Sequence, residues 1–436
     1  MNKTLLLVLV PMVLLCAAGC GKKESAKGGQ IQLEVAAFEG GFGLDFFEYA
    51  AREYEKTHPN VKIKVWGNPR VWEQLRPSFV AGDVPDLTWP GWGMDMWALV
   101  YEGKITEMDK YLATKAWDQG KPWKDTFVPY LLDKGKFNGH YYILPYNNNV
   151  SGWWYNVDMF KQHGWTAPKT YEELLVLCDK IKKTGIAPIT FQGKYPYYML
   201  RGFLIPWAIS AGGIQAYNDA QNLKPGAWTS PAFLKAAQMV KELRDKGCFQ
   251  RGAMGMDHTG SQMEFVLRRA AMIPCGTWLG SEMKKQMPAS FHMEFFNVPM
   301  LRDGKGDPGA LSVGPETWII PKEAKHPDVA ADFYKFMTSL DMARKFVTRK
   351  NTLMSVVGAN EVKLNKDLVD AARYMGNAKT IWDMDYQTWY PSLGKASESA
   401  MAALLNGEVS PEECLQRIEK AADEVRSDKS IPKHRM

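Results

Sequence analysis

Ser281-Glu282-Met283-Lys284 and Ser392-Leu393-Gly394-Lys395 both match the SxxK in which a lysine activates a serine nucleophile, and Lys183-Thr184-Gly185 matches the KTG that accompanies it. The blocks run in the wrong order and no SDN lies between them, so coincidence is the better reading. There is no GxSxG, no HExxH and no P-loop, and Gly41-Phe42-Gly43 lacks the third glycine of a dinucleotide fingerprint. The seven histidines are scattered singly. Neither His258 nor His292 has a neighbour at metal-ligand spacing, so no metal and no cofactor is expected. Asp383 and Asp385, two residues apart, do not offer the opposed carboxylates of glycoside hydrolysis, and a solvated loop is expected there.

What remains is a set of aromatic residues beside amides and carboxylates, in turn-flanked segments. It comprises Trp89 and Trp92, Gln192-Gly193-Lys194-Tyr195-Pro196-Tyr197-Tyr198, Gly276-Thr277-Trp278, and Trp389-Tyr390. A pyranose presents an apolar ring face that stacks on Trp or Tyr, and a rim of hydroxyls that suits Asn, Gln, Asp and Glu. Carbohydrate binding is therefore the expected chemistry, against core packing as the plainer role for any one ring.

These residues must be held by a large fold. A chain of 436 residues exceeds the size at which single cores stop growing, so two domains are expected. Hydrophobic residues make up 46% and charged residues 23%, which is globular composition. The net charge of +6, without a long basic run, gives no nucleic-acid footprint. From Ile31 the pattern alternates: extended Ile31–Phe38, helical Leu44–Thr57, extended Val61–Trp66, helical Val71–Val80, and a short strand over Pro85–Trp89. This is an α/β signature, and the loop after Trp89 lies where open α/β sheets bind ligands. The polar stretch Asn147-Asn148-Asn149 between two strand-like segments is read as an inter-domain crossing. Downstream, Thr170 to Glu173 forms a capping box, and Ser230-Pro231 and Ser410-Pro411 open helices with Ser as N-cap.

Met1 to Thr4 carries one positive charge and Leu5 to Ala18 is apolar, too short to span a bilayer, so residues 1–19 read as a signal peptide. Ala17-Ala18-Gly19-Cys20 resembles a bacterial lipobox, with Ala17 where Leu is usual. That resemblance implies cleavage before Cys20 and its acylation, with residues 20–30 as a flexible tether. Cys178, Cys248, Cys275 and Cys414 remain, and their spacing leaves open whether two form a disulfide or all are buried thiols.

Pro145-Tyr146-Asn147, then Trp154-Tyr155-Asn156-Val157-Asp158-Met159-Phe160, then Pro168-Lys169-Thr170-Tyr171-Glu172-Glu173-Leu174 together resemble the signature of family 1 extracellular solute-binding proteins of carbohydrate ABC importers. Arg269 to Trp278 and His326 to Phe333 match further blocks of that family. Gln192–Met199, Pro225 to Trp228, Thr388 to Pro391 and Lys420 to Asp423 look like the subgroup binding N-acetylglucosamine and N,N′-diacetylchitobiose. The resemblance implies a periplasmic-binding-protein-like α/β fold: two lobes joined by a three-segment hinge, with lobe one at 31–147 plus 301–350 and lobe two at 148–300 plus 351–436. It implies substrate contacts at Glu39, Gly40, Gly41, Trp89, Trp92, Asp95, Asn148, Gln192, Tyr195 and Trp278, with Glu316 and Trp389 added. No catalysis is expected. The implied partners are a carbohydrate and the permease subunits of an ABC transporter, the membrane being reached through lipid at Cys20 only, on the extracytoplasmic face. Two other readings are an extracytoplasmic sugar-processing enzyme using Glu39 and Glu316, and the same fold binding an anionic uronide through Arg70, Lys194 or Arg201.

Overall fold

The computed structural model describes residues 29–434, and the expected signal peptide and Cys20 lie outside them. Its first sheet is the expected alternation. Strands β1 (Ile31–Phe38), β2 (Val61–Asn68) and β3 (Leu87–Trp89) are parallel in the order β2-β1-β3, joined by helices Asp45–Thr57 and Trp72–Ala81. The first of these helices turns Phe46, Phe47, Ala50, Ala51 and Tyr54 inward, the spacing of one helical face. After a two-residue-loop hairpin of β4 (Lys136–Phe137) and β5 (His140–Tyr141) comes β6 (Leu144–Asn156), the strand on which the rest is organised.

β7 (Ala187–Ile189), β8 (Ala270–Gly276), β9 (Met293–Phe296), β10 (Leu311–Trp318), β11 (Leu353–Met354) and β12 (Ile381–Trp382) complete a second sheet, ordered β12-β10-β6-β8-β7, with β9 and β11 also paired to β6. Helices cover it. The capping box at Thr170 and Glu173 is formed, and Ser410 caps its helix by accepting from the Glu413 backbone N–H at 3.1 Å. Ser230 precedes its helix as expected, but its hydroxyl makes no cap bond.

Two apolar cores meet at three crossing strands, the second of them also taking in Leu75, Phe79 and Trp97 from the first-lobe segment. One gathers Leu33, Phe46, Phe47, Trp89, Tyr334 and Phe346, and the other Trp153, Trp154, Phe203, Trp207 and Trp228. β6 gives Leu144 and Tyr146 to the first core and Val150, Trp153 and Trp154 to the second. β10 runs back antiparallel, with Leu311 and Val313 in the second core and Trp318 in the first, while β11 divides Leu353 from Met354 in the same way. The two α/β lobes and three crossings are thus those expected. Leu301 and Ala310 pack with the second core, not the first.

Candidate functional site

The register of β6 and β10 breaks between Pro315 and Thr317, a bulge at the point where the strands leave one core for the other. Proline cannot donate to a ladder, and an irregularity is where strands accommodate it. The residue released there is Glu316, 6% exposed. Its carboxylate accepts from Asn149 Nδ2 at 2.7 Å and from the Trp89 indole N–H. Burial pushes its pKa up to about 7, against the opposing pull of those two donors. Beside it on β6, Asn148 Oδ1 accepts from the Ser355 hydroxyl at 2.6 Å while its Nδ2 has no protein partner. Both amide atoms of Asn147 are buried and unpartnered. Buried amides are normally satisfied, so donors and acceptors left over at a strand crossing are groups available to a bound molecule or to water.

The expected first-lobe loops follow β1 and β3. Glu39 and Gly41 are exposed and Gly40 is half-buried. A side chain placed at Gly41 would come within 3.7 Å of Glu282 Cγ, so this loop faces the second lobe directly. In the other loop Gly91 has φ of +71° and lies under the Phe38 ring, a position only glycine fits. That turn throws Trp92 outward, 64% exposed, while Trp89 is 3% exposed and wedged against Phe38, Phe47 and Trp318. Asp95 uses its carboxylate as the N-cap of helix Met96–Tyr101, accepting from the Ala98 N–H at 2.9 Å.

From the second lobe, Gln192 is fully buried with both amide atoms unpartnered, and Tyr195 is 39% exposed with its ring centroid 4.8 Å from that of His258. Trp278 is half-buried and lies over Gly276, whose missing side chain leaves the room. Trp389 differs. It is 8% exposed and stacks flat on the His434 ring, centroids 4.7 Å apart and planes 2° from parallel, so its face is covered by the chain's own residue. Trp97, Tyr101 and Phe137 of the first lobe and Tyr390 of the second complete the surround of that imidazole.

The solvated loop expected at Asp383 and Asp385 is corrected by the structure: both carboxylates are largely buried and ion-paired. Lys134, from the first lobe, bonds Asp385 and lies 3.0 Å from Asp383, and Arg201 pairs with Asp383 and donates to the Ser312 hydroxyl at 2.7 Å. Sequence reasoning missed this network because Lys134 stands 251 residues from Asp385. No spacing rule reaches that far. Two hollows of about 620 and 650 Å³ open elsewhere on the second lobe, beside Lys224 and Lys235 and beside Trp165 and Tyr374, and include none of the expected contact residues.

Two α/β lobes with polar groups gathered where three strands cross define a two-lobed binding protein. The bacterial extracellular solute-binding protein family matches residues 43–344, and the chain belongs to that family. It is similar to the diacetylchitobiose binding protein NgcE of Streptomyces coelicolor, 27% identical over 407 residues covering 92% of this chain and 86% of that protein. It is also similar to the multiple sugar-binding protein of Streptococcus mutans, 25% identical over 369 residues, 82% of this chain and 83% of that one. Among solved structures, a chitin oligosaccharide binding protein superposes with a TM-score of 0.71 at 21% identity, covering 87% and 94% of the two chains. Ligand-free RafE of Streptococcus pneumoniae gives 0.73 at 21% identity, covering 92% and 99%. As a member of the solute-binding family, the chain is a binding protein and not an enzyme.

Proposed function

We propose that the protein is the sugar receptor of an ABC importer, and that its ligand is N-acetylglucosamine or a short chitooligosaccharide. The observation that carries this reading is the set of buried amide atoms without a protein partner, both of Asn147, both of Gln192 and Nδ2 of Asn148, in a fold whose exposed and half-buried rings include Trp92, Tyr195 and Trp278. Amides match both sugar hydroxyls and an N-acetyl group, and rings match the pyranose face. Similarity to NgcE over 92% of the chain supports the amino-sugar class. The contact set we favour is Glu39, Gly40, Gly41, Trp92, Asn148, Gln192, Tyr195, Trp278 and Glu316, with Trp89 holding Glu316 from beneath. A uronide is less favoured, because Arg70 is paired with Glu73 and Arg201 with Asp383.

In this reading the second crossing lies at Glu316 rather than at residue 301, since Leu301, Ala310 and Leu311 pack with the second core. Ligand contacts from both lobes are complete only when the lobes close, so the sugar shifts the population toward the closed state. Delivery to permease subunits follows from that closed form. Cys20 carries the lipid anchor. Cys20→Ser should release the protein from membranes, and a variant that still pellets with them would remove the anchor.

A thermal-shift and calorimetric screen tests the ligand. With micromolar affinity, about 1 mM sugar stabilises the native state by about 4 kcal/mol. In a chain of this size that raises Tm by about 5 °C. Diacetylchitobiose should give this rise together with a smaller radius of gyration. A rise with neutral oligosaccharides and none with amino sugars would overturn the ligand class.

A further inference from the structure

The second lobe holds two thiols in contact. Cys178, on helix Tyr171–Lys182, and Cys248, just past helix Pro231–Asp245, are both fully buried, and their side chains are hydrogen-bonded to each other. The segments that carry them are tied at both ends. Tyr171 donates its hydroxyl to the Met239 carbonyl at 3.0 Å and to Glu242 Oε2 at 2.9 Å, and Lys182 Nζ donates to the Lys246 carbonyl at 2.6 Å. Cys248 is fixed further by its own backbone, its N–H donating to the Leu243 carbonyl and its carbonyl accepting from Ile189 on β7. The remaining cysteines have other partners: Cys275 sulfur accepts from the Gln262 amide at 3.9 Å, and Cys414 donates to the Ala400 carbonyl at 3.4 Å.

We infer that Cys178 and Cys248 are a disulfide site, oxidised once the chain is outside the cytoplasm, where the family to which it belongs resides. The oxidant is the disulfide of an exported thiol–disulfide oxidoreductase. As the chain folds, before the pair is buried, the thiolate of one cysteine, written here as Cys248, attacks one sulfur of that disulfide, forming a mixed disulfide and expelling the oxidant's other sulfur as a thiolate. The Cys178 thiol gives its proton to solvent, and its thiolate attacks Cys248 Sγ. The Cys178–Cys248 bond forms, the mixed disulfide breaks, and two electrons leave with the oxidant, which takes up two protons to become a dithiol. The bridge closes a loop of about 70 residues, and the restriction that a cross-link places on the unfolded chain grows with loop length. Burial of both residues then shields it from reductants.

The full chain, exported by a bacterial host and quenched with acid and alkylating reagent at lysis, tests this by non-reducing peptide mapping. The expected result is one cross-linked pair of peptides carrying Cys178 and Cys248, with Cys275 and Cys414 alkylated. Alkylated Cys178 and Cys248 in the folded exported protein would overturn the inference, as would a cross-link to Cys275 or Cys414. A second readout is stability: Tm of the exported protein should fall by several degrees after reduction in denaturant and refolding with reductant. The Cys178→Ala/Cys248→Ala variant should show no reductant dependence, and an equal fall in that variant would count against the bridge.

Discussion

Lys134 of the first lobe and Asp383 of the second stand 3.0 Å apart, with side chains 9% and 13% exposed. Burial raises the cost of the Asp383 charge, yet Lys134 and Arg201 together hold its carboxyl down at about 2. Such a pair fixes the geometry between lobes more than it adds net stability, because desolvation offsets most of the attraction. Removing one partner is different: Lys134→Met should leave Asp385 unpaired and Asp383 with Arg201 alone, and should cost about 3–5 kcal/mol in urea unfolding. A loss within error would show that the carboxylates relax into water. Because the Asp383 pKa is depressed, its contribution is present above the ordinary carboxylate value and is lost as pH falls toward about 2.

Glu316 has the opposite sign. Its pKa is raised to about 7, so between the ordinary carboxylate value and that point the folded state holds a proton that the unfolded state has released. Stability should therefore fall as pH rises through this window, by about 1.4 kcal/mol per pH unit at most, and level off above it. Glu316→Gln should flatten the profile between these limits. An unchanged slope in the variant would assign the dependence to another group.

The tryptophans should separate by role. Trp92→Ala and Trp278→Ala remove exposed or half-buried rings and are expected to weaken sugar binding about tenfold each, near 1.4 kcal/mol, with little change in Tm. Trp89→Ala removes a core wedge and a donor to Glu316, and should cost about 3–5 kcal/mol of stability. Calorimetry beside thermal melts distinguishes these outcomes, and full affinity in both exposed-ring variants would dismiss stacking.

His434→Ala and Trp389→Ala act on one stacked contact within the second lobe, against which the first-lobe rings Trp97, Tyr101 and Phe137 pack. Each should lower Tm, and their effects should be less than additive in a double variant, since either change alone removes the same stacked pair. Additive losses would mean that the two rings serve separate cores.

Periodicity revealed the first sheet to within a residue or two, because β1, helix Asp45–Thr57 and β2 each carry one clean apolar pattern. Asn147 to Asn149 also stood out, as three amides interrupting an otherwise apolar strand. The bulge that frees Glu316 did not, since it depends on how β10 pairs with a strand about 170 residues earlier. Trp389 looked like a sugar platform because a Trp-Tyr pair next to proline has the same composition whether its face is open or covered. His434, the residue that covers it, is a neighbour only in the fold.

β6 also governs the order in which the molecule can form. Its partners, β8, β9, β10 and β11, begin at Ala270 and end at Met354, so a strand made at residues 144–156 waits for chain synthesised long afterwards. Loop-closure entropy must be overcome before any of these ladders stabilises anything, which makes folding slow for a chain of this topology. A cut that ended the chain after Asn149 would leave Leu144 to Asn149 without β10 and β11, the strands that pair with them. The same delay keeps the chain unfolded for longer after synthesis, the condition in which a polypeptide can be threaded through a membrane.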